Sequence, residues 1–330
     1  MSTQPSAARD KAASPAPIDS LAGDVQYYLT LTPRQLPSRY FYDPLGSALF
    51  EAICELPWYR ITRVERALLE RHGADILSRA APLSTLIELG PGSGDKLAAL
   101  IGAGGGPARR LTVHLVDVSG AALDLAGRTL AALDADLAIV PHQATYERGL
   151  LEAAARRPAS GRTLALFLGS NIGNFDPPGA DAFLLNIRAS LAAGDMLLIG
   201  TDLVKPEADL LLAYDDPLGV TAAFNRNLLV RINRELGADF DVSAFRHRAL
   251  WNAEASRVEM HLVAARPQRV RIPGASLEVS FDDGESIWTE SSYKYQPAGV
   301  VGMLERAGFA RVEQWTDHRD GFALTLVTAA

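Results

Sequence analysis

Between residues 86 and 204, short and almost uninterrupted apolar runs alternate with helical stretches, a rhythm that few architectures accept. The runs are LIEL (86–89), LTVHLVDV (111–118), ADLAIV (135–140), LALFLGS (164–170) and DMLLIGTDLV (195–204). Segments such as KLAALIGAG, AALDLAGRTLAALDA and DAFLLNIRASLAAG lie between them. A strand that is apolar on both faces must be covered on both faces, which is the condition of a parallel sheet flanked by helices. The pattern therefore predicts an α/β fold of the doubly wound, Rossmann-like kind.

After Val204 the rhythm changes. Residues 206–241 read as long, helical and rich in Asn, Asp and Arg, and residues 249–272 alternate apolar with polar, as half-buried antiparallel strands do. PAGVVGMLERAGF then reads as a helix and FALTLVTA (322–329) as a closing strand. The middle region is thus expected to be an insertion, joined by the segment 24–64 in one accessory domain. In full, the expected division is a disordered leader over 1–22, a cofactor-binding domain over 65–204 and 295–330, and an α+β substrate-binding domain over 23–64 and 205–294.

At 330 residues the chain can bury a full core. Its net charge of −7 argues against a general nucleic-acid binder. It has no apolar run of the ~18 residues that a membrane span needs. The Ser-, Ala- and Pro-biased opening MSTQPSAARDKAASPAPIDS lacks the apolar centre of a signal peptide. Cys54, the lone cysteine, reads as a small buried residue, and the six histidines show no metal spacing. The expectation is a cytoplasmic monomer acting on a small molecule, with neither nucleic acid, membrane nor metal.

The stretch TLIELGPGSGDK (85–96) is strand, glycine turn and helix start. A turn of this kind brings backbone close to a ligand, and the following helix presents free N–H groups. A dinucleotide fingerprint wants G-x-G-x-x-G/A, but Asp95 stands where the third small residue belongs. Glu88, on the strand itself, repels a pyrophosphate yet suits an ammonium group. Asp117, at the end of the second strand, can bind ribose hydroxyls. With the late strand FALTLVTA, the combination favours S-adenosylmethionine over NAD.

Longer stretches carry a resemblance. LPSRYFYDPLGSALFEAICELPWYRITRVE, GSNIGNF, the run from Gly200 to Asp241, WNAEASRVEMHL and GESIWTESSYKY resemble the L-histidine Nα-methyltransferases of ergothioneine biosynthesis. The likeness extends from about Asp24 to the C-terminus. It implies a class I methyltransferase domain plus a substrate domain, and trimethylation of histidine's α-amino group to hercynine. It places cofactor contacts on Gly90, Lys96, Asp117, Thr145 and Tyr146. Substrate contacts fall on Tyr59, Asn174, Tyr214 and the run Glu290, Ser291 and Ser292, with Tyr42 a further candidate near the amine. In this assignment Asn174 and Tyr214 serve the carboxylate, Glu290 accepts from an imidazole N–H, and Ser292 serves the other ring nitrogen. No residue is assigned as general base. Three departures stand out: Thr145 where the family usually has an acid, Trp58 and Arg60 beside Tyr59, and the GPGSGDK turn.

The residues alone leave other readings open. Tyr59 and Tyr214 can be fillers, Met260 core, Glu290 a solvated strand residue and Asn174 a helix cap. Asp215, Asp216 and the NRN run (225–227) suit inter-domain contacts. In function, the alternatives are methylation of another amino acid such as tryptophan, an NAD-dependent oxidoreductase, or a non-catalytic partner protein that keeps the fold.

Overall fold

The computed structural model describes residues 20–104, 111–133, 136–158 and 160–330. Helix α1 (Leu21–Tyr28) starts at Ser20, whose hydroxyl accepts from the Gly23 N–H at 3.1 Å. Leu21 and Ala22, expected in the leader, therefore belong to a capped helix, while residues 1–19 lie outside the described part. Next come β1 (Arg34–Gln35), α2 (Pro44–Glu55) and α3 (Ile61–Ala80). Asp43 caps α2 by accepting from the Gly46 N–H, and Pro44 occupies the first turn, where its missing N–H costs nothing. Helix α3 runs unbroken across the expected domain boundary at residue 64.

The alternating region then forms β2 (Leu83–Leu89), α4 (Asp95–Ala103), β3 (Leu111–Asp117), α5 (Gly120–Ala131), β4 (Leu137–Gln143), α6 (Tyr146–Ala154), β5 (Arg162–Phe167), α7 (Pro177–Ser190) and β6 (Met196–Asp202). Beyond it lie α8 (Glu207–Tyr214), α9 (Val220–Leu236), β7 (Phe245–Asn252), β8 (Arg257–Ala264), β9 (Gln268–Ile272), β10 (Leu277–Phe281) and β11 (Ser286–Tyr293). The chain closes with α10 (Pro297–Arg306), β12 (Phe309–Asp317) and β13 (Phe322–Ala329).

The main sheet has the order β12-β13-β6-β5-β2-β3-β4. Strands β2 to β6 pair in parallel, and β13 runs antiparallel to both of its neighbours. Successive residues of one strand feed opposite faces. Leu86, Leu164, Leu198 and Leu324 join one apolar cluster, and Ile87, Ala165, Leu197 and Ile199 join the other. Full burial of such side chains stabilises by ~1.5–3 kcal/mol each. The chain turns outward in opposite directions from β2, between β3 and β5, which makes the carboxyl end of β2 the crevice where such sheets bind ligands.

A second sheet, β1-β11-β8-β7, packs with α9 on one flank. The region expected as one long helix is broken at Asp216–Gly219. The Asp216 carboxylate accepts from the Leu218, Val220 and Thr221 N–H groups, and Gly219 is left-handed at φ 76°. Helix α9 is tied to α2 through Asp43, which accepts from Asn227 Nδ2 and Arg234 at 2.7 Å each. Asn225 is fully buried between α9 and the second sheet, accepting from Thr289 Oγ1 at 2.8 Å.

Candidate active site

Gly90, Gly92 and Gly94 all have positive φ (73°, 54° and 81°), so the turn after β2 is one that glycine alone adopts readily. At Gly90 space also matters: an added Cβ would lie 2.8 Å from the Tyr146 hydroxyl and 3.1 Å from Asn171 Nδ2. Behind the turn, Glu65 of α3 is fully buried and accepts from Lys96 Nζ at 2.7 Å and from the Gly169 N–H at 2.8 Å. This one carboxylate therefore ties α4 to the turn after β5. Glu88 is also buried, and its Oε2 has no hydrogen-bond partner among the described residues. Burial pushes its carboxyl up to about 8, with Lys96 pulling it back and Glu65 and Asp117 pushing further up.

Asp117, at the end of β3, accepts from the Ser119 N–H at 2.8 Å; burial raises its carboxyl and that N–H offsets part of the rise. Tyr146 turns inward at the start of α6, whereas Thr145 is exposed and caps that helix, accepting from the Arg148 N–H at 3.5 Å. Gly90, Lys96, Asp117 and Tyr146 thus gather around the carboxyl ends of β2 and β3. An open glycine backbone, a buried unpaired carboxyl and an acid on the next strand fit the donors and acceptors of S-adenosylmethionine.

Adjoining this cradle is a cleft of about 510 Å³. The β5 turn (Gly169, Ser170, Asn171) forms its floor on the cradle side, and Asn174 stands beside it. Ser170 is left-handed at φ 58°, rare for a residue with a side chain, and its hydroxyl accepts from the Asp202 N–H at 2.9 Å. The opposite wall comes from the second sheet. Register shifts between Trp288 and Glu290 of β11, a bulge that re-aims the side chains beyond it. Glu290 and Ser292 line the cleft together with Met260 of β8. An aromatic wall completes it: Tyr42 packs edge-on to Phe50 at 5.6 Å, Phe50 to Tyr59 at 6.3 Å and Tyr59 to Tyr214 at 6.3 Å.

The electrostatics of the cleft are set by few groups. Burial pushes the Glu290 carboxyl up to about 7, and Lys294 draws it down. Burial likewise holds the Tyr42 and Tyr59 hydroxyls well above the usual phenol range, so neither is a phenolate near neutral pH. Lys294 is fully buried. Burial disfavours its charge, but Asp202 at 2.9 Å and Tyr214 outweigh that and hold it charged. Among the described residues no cluster of His, Cys, Asp or Glu could hold a metal ion.

A family described as histidine-specific, S-adenosylmethionine-dependent methyltransferases matches residues 21–329. The histidine N-alpha-methyltransferase of Mycolicibacterium smegmatis is 42% identical over 308 residues, covering 93% of this chain and 94% of the relative. That of Mycobacterium tuberculosis is 43% identical over 312 residues, covering 93% and 94%. The chain belongs to the histidine-specific methyltransferase family.

An L-tryptophan methyltransferase from Psilocybe serbica is similar at 28% identity, covering 90% of this chain and 88% of that protein. Within this methyltransferase, Tyr42, Tyr59, Asn174, Tyr214, Glu290 and Ser292 share the cleft. Ser291 does not line it, because strand alternation turns its side chain to the other face. Asn174 is not the cap of α7, a place that Asp176 takes. Trp58 and Arg60 line a neighbouring cleft of about 490 Å³, where Arg60 pairs with Asp320 at 2.8 Å. Glu65, Asp202 and Lys294 also belong to the site, although in sequence a charge within a helix, at a strand end or beside tyrosines reads as solvent exposure.

Proposed function

We propose that this methyltransferase carries three methyl groups in succession from S-adenosylmethionine to the α-amino nitrogen of L-histidine, giving hercynine, the first step of ergothioneine biosynthesis. In this reading residues 65–204 with 295–330 hold the cofactor, and residues 23–64 with 205–294 hold the substrate. The observation that carries the reading is Glu290: a half-buried acceptor set among aromatic rings, in one cleft with the β5 turn that adjoins the glycine cradle, in a chain of this family. We further place the activity in the cytoplasm, in a monomer; among the described residues no helix is long and apolar enough to cross a membrane.

Bound S-adenosylmethionine supplies an electrophilic methyl group. Gly90 and its turn, Lys96, Asp117 and Tyr146 would hold it, with Glu88 facing its ammonium end. The protein's remaining task is positioning, which can supply on the order of 7–11 kcal/mol of a barrier when reacting atoms are aligned. Asn174 and the Tyr214 hydroxyl bind the carboxylate, and Glu290 and Ser292 orient the ring, so the amine is aimed at the cradle across the β5 turn. A site that pairs polar ring atoms rejects analogues without them, since its own buried groups would be left unpaired. The α-amine of free histidine is largely protonated near neutral pH, so a proton must leave it before the first transfer. The faces of Tyr42 and Tyr59 suit the growing methylated cation.

Mass spectrometry of histidine incubated with the protein and S-adenosylmethionine tests this directly. One, two and then three added methyl groups are expected. Methylation of tryptophan with histidine untouched would retain cofactor and fold and replace the substrate.

A further inference from the structure

Lys294 reaches the cleft only through other residues. Its Nζ donates to Tyr214 Oη, to Ser292 Oγ and to Asp202 Oδ2, each at 2.9 Å. An ammonium has three protons, so none remains for a substrate. Tyr214 Oη and Ser292 Oγ lie 2.8 Å apart and are bonded to each other. Both already accept from Lys294, and one of their two protons is used between them. A single proton is therefore left to point into the cleft.

We propose that Lys294 is a positioning residue for substrate selection: it locks the Tyr214 and Ser292 hydroxyls so that the pair presents one proton toward an anionic group. This rests on the carboxylate contact assigned to Tyr214 above. If Tyr214 gives its proton to the carboxylate, Ser292 must donate to Tyr214 and shows the cleft only a lone pair. Ser292 then accepts from one ring N–H while Glu290 accepts from the other, so the ring is bound as the imidazolium. The charges behind the pair agree with this direction. Asp202 also pairs with Lys205 at 2.6 Å, so two cations share the one carboxylate directly behind the pair. Hydroxyls that accept from a cation are stronger donors in turn.

The test is the affinity for histidine relative to histamine, which lacks the carboxylate, measured by titration calorimetry with S-adenosylhomocysteine bound. In Lys294→Met the preference for histidine should fall about tenfold or more, the weight of a charge-assisted bond, while S-adenosylhomocysteine binds as before. Tyr214→Phe should do the same, and the double variant should be little worse than either. An equal loss for both ligands, or additive losses in the double variant, would reduce Lys294 to a structural role. Asp202 retains Lys205 in these variants; should Lys294→Met not fold, Lys294→Gln reports the same ratio with a shorter reach and no charge. A wild-type protein that binds histidine with an unmoved ratio in the variant overturns this inference alone. One that neither binds nor methylates histidine overturns the underlying reading as well.

Discussion

Burial pushes the Glu290 carboxyl to about 7 while Lys294 draws it down, so both protonation states are populated near neutral pH. A ring N–H in the cleft selects the ionised form and gains a charge-assisted bond, worth ~1.5–3 kcal/mol. Glu290→Ala should accordingly lower kcat/KM for histidine by roughly 10- to 100-fold with cofactor affinity unchanged; steady-state kinetics alongside cofactor titration separates the two. Thr145 makes the opposite case. Its hydroxyl caps α6, a role that aspartate fills equally well. Thr145→Asp should keep the helix and tighten the cofactor Kd severalfold by restoring an ionised acceptor, and an unchanged Kd would separate this position from the cofactor. The carboxyl and hydroxyl candidates were legible from residue chemistry and the family resemblance. Lys294 was not, because only the packing of β11 against α8 and β6 converts a lysine beside two tyrosines into a fully buried cation.

At the scale of elements, glycine geometry separates two substitutions that look alike in sequence. Gly94 starts α4 at φ 81°, and an added Cβ would meet the Ala126 backbone at 2.9 Å. Gly127, inside α5, has nothing within 4 Å of the same atom. Gly94→Ala should cost ~1–3 kcal/mol of stability, whereas Gly127→Ala should add ~0.5–1 kcal/mol; thermal unfolding of the two variants gives opposite shifts if this is right. The apolar runs of β2 to β6 were readable because a strand covered on both faces needs little context. FALTLVTA was read to its ends, and it is β13, Phe322–Ala329. Strand β12 was not read. It pairs with β13 alone, at the sheet edge, and its mixed sequence FARVEQWTD carries no clean alternation. The break between α8 and α9 was missed as well, since the Asp216 carboxylate that caps the turn reads in sequence as one more polar helix residue.

For the molecule as a whole, Glu88 links cofactor cradle and stability. Folded, it keeps its proton up to about 8, whereas the ordinary glutamate value is 4.5. Between those limits the native state binds more protons than the unfolded one, so this group's contribution to stability falls as pH rises, by up to roughly 4–5 kcal/mol once both limits are passed. Denaturant unfolding at pH 5, 7 and 8.5 should show Glu88→Gln gaining on the wild type as pH increases, and parallel curves would mean an ionised Glu88 in the fold. What the sequence determined by itself was local and periodic: the parallel sheet, the left-handed glycine turn, the acids at strand ends and the chemistry offered by Tyr, Asn, Glu and Ser. Those follow from strand and turn geometry that a short window already contains. The tertiary structure alone decided which of these groups meet. It brought Glu290 into one cleft with the β5 turn by way of the bulge in β11, joined Glu65 to Lys96 and Gly169 beneath the cradle, and buried Lys294 against Asp202. A charge's role depends on its burial and its partner, and both are supplied by segments far away in the chain.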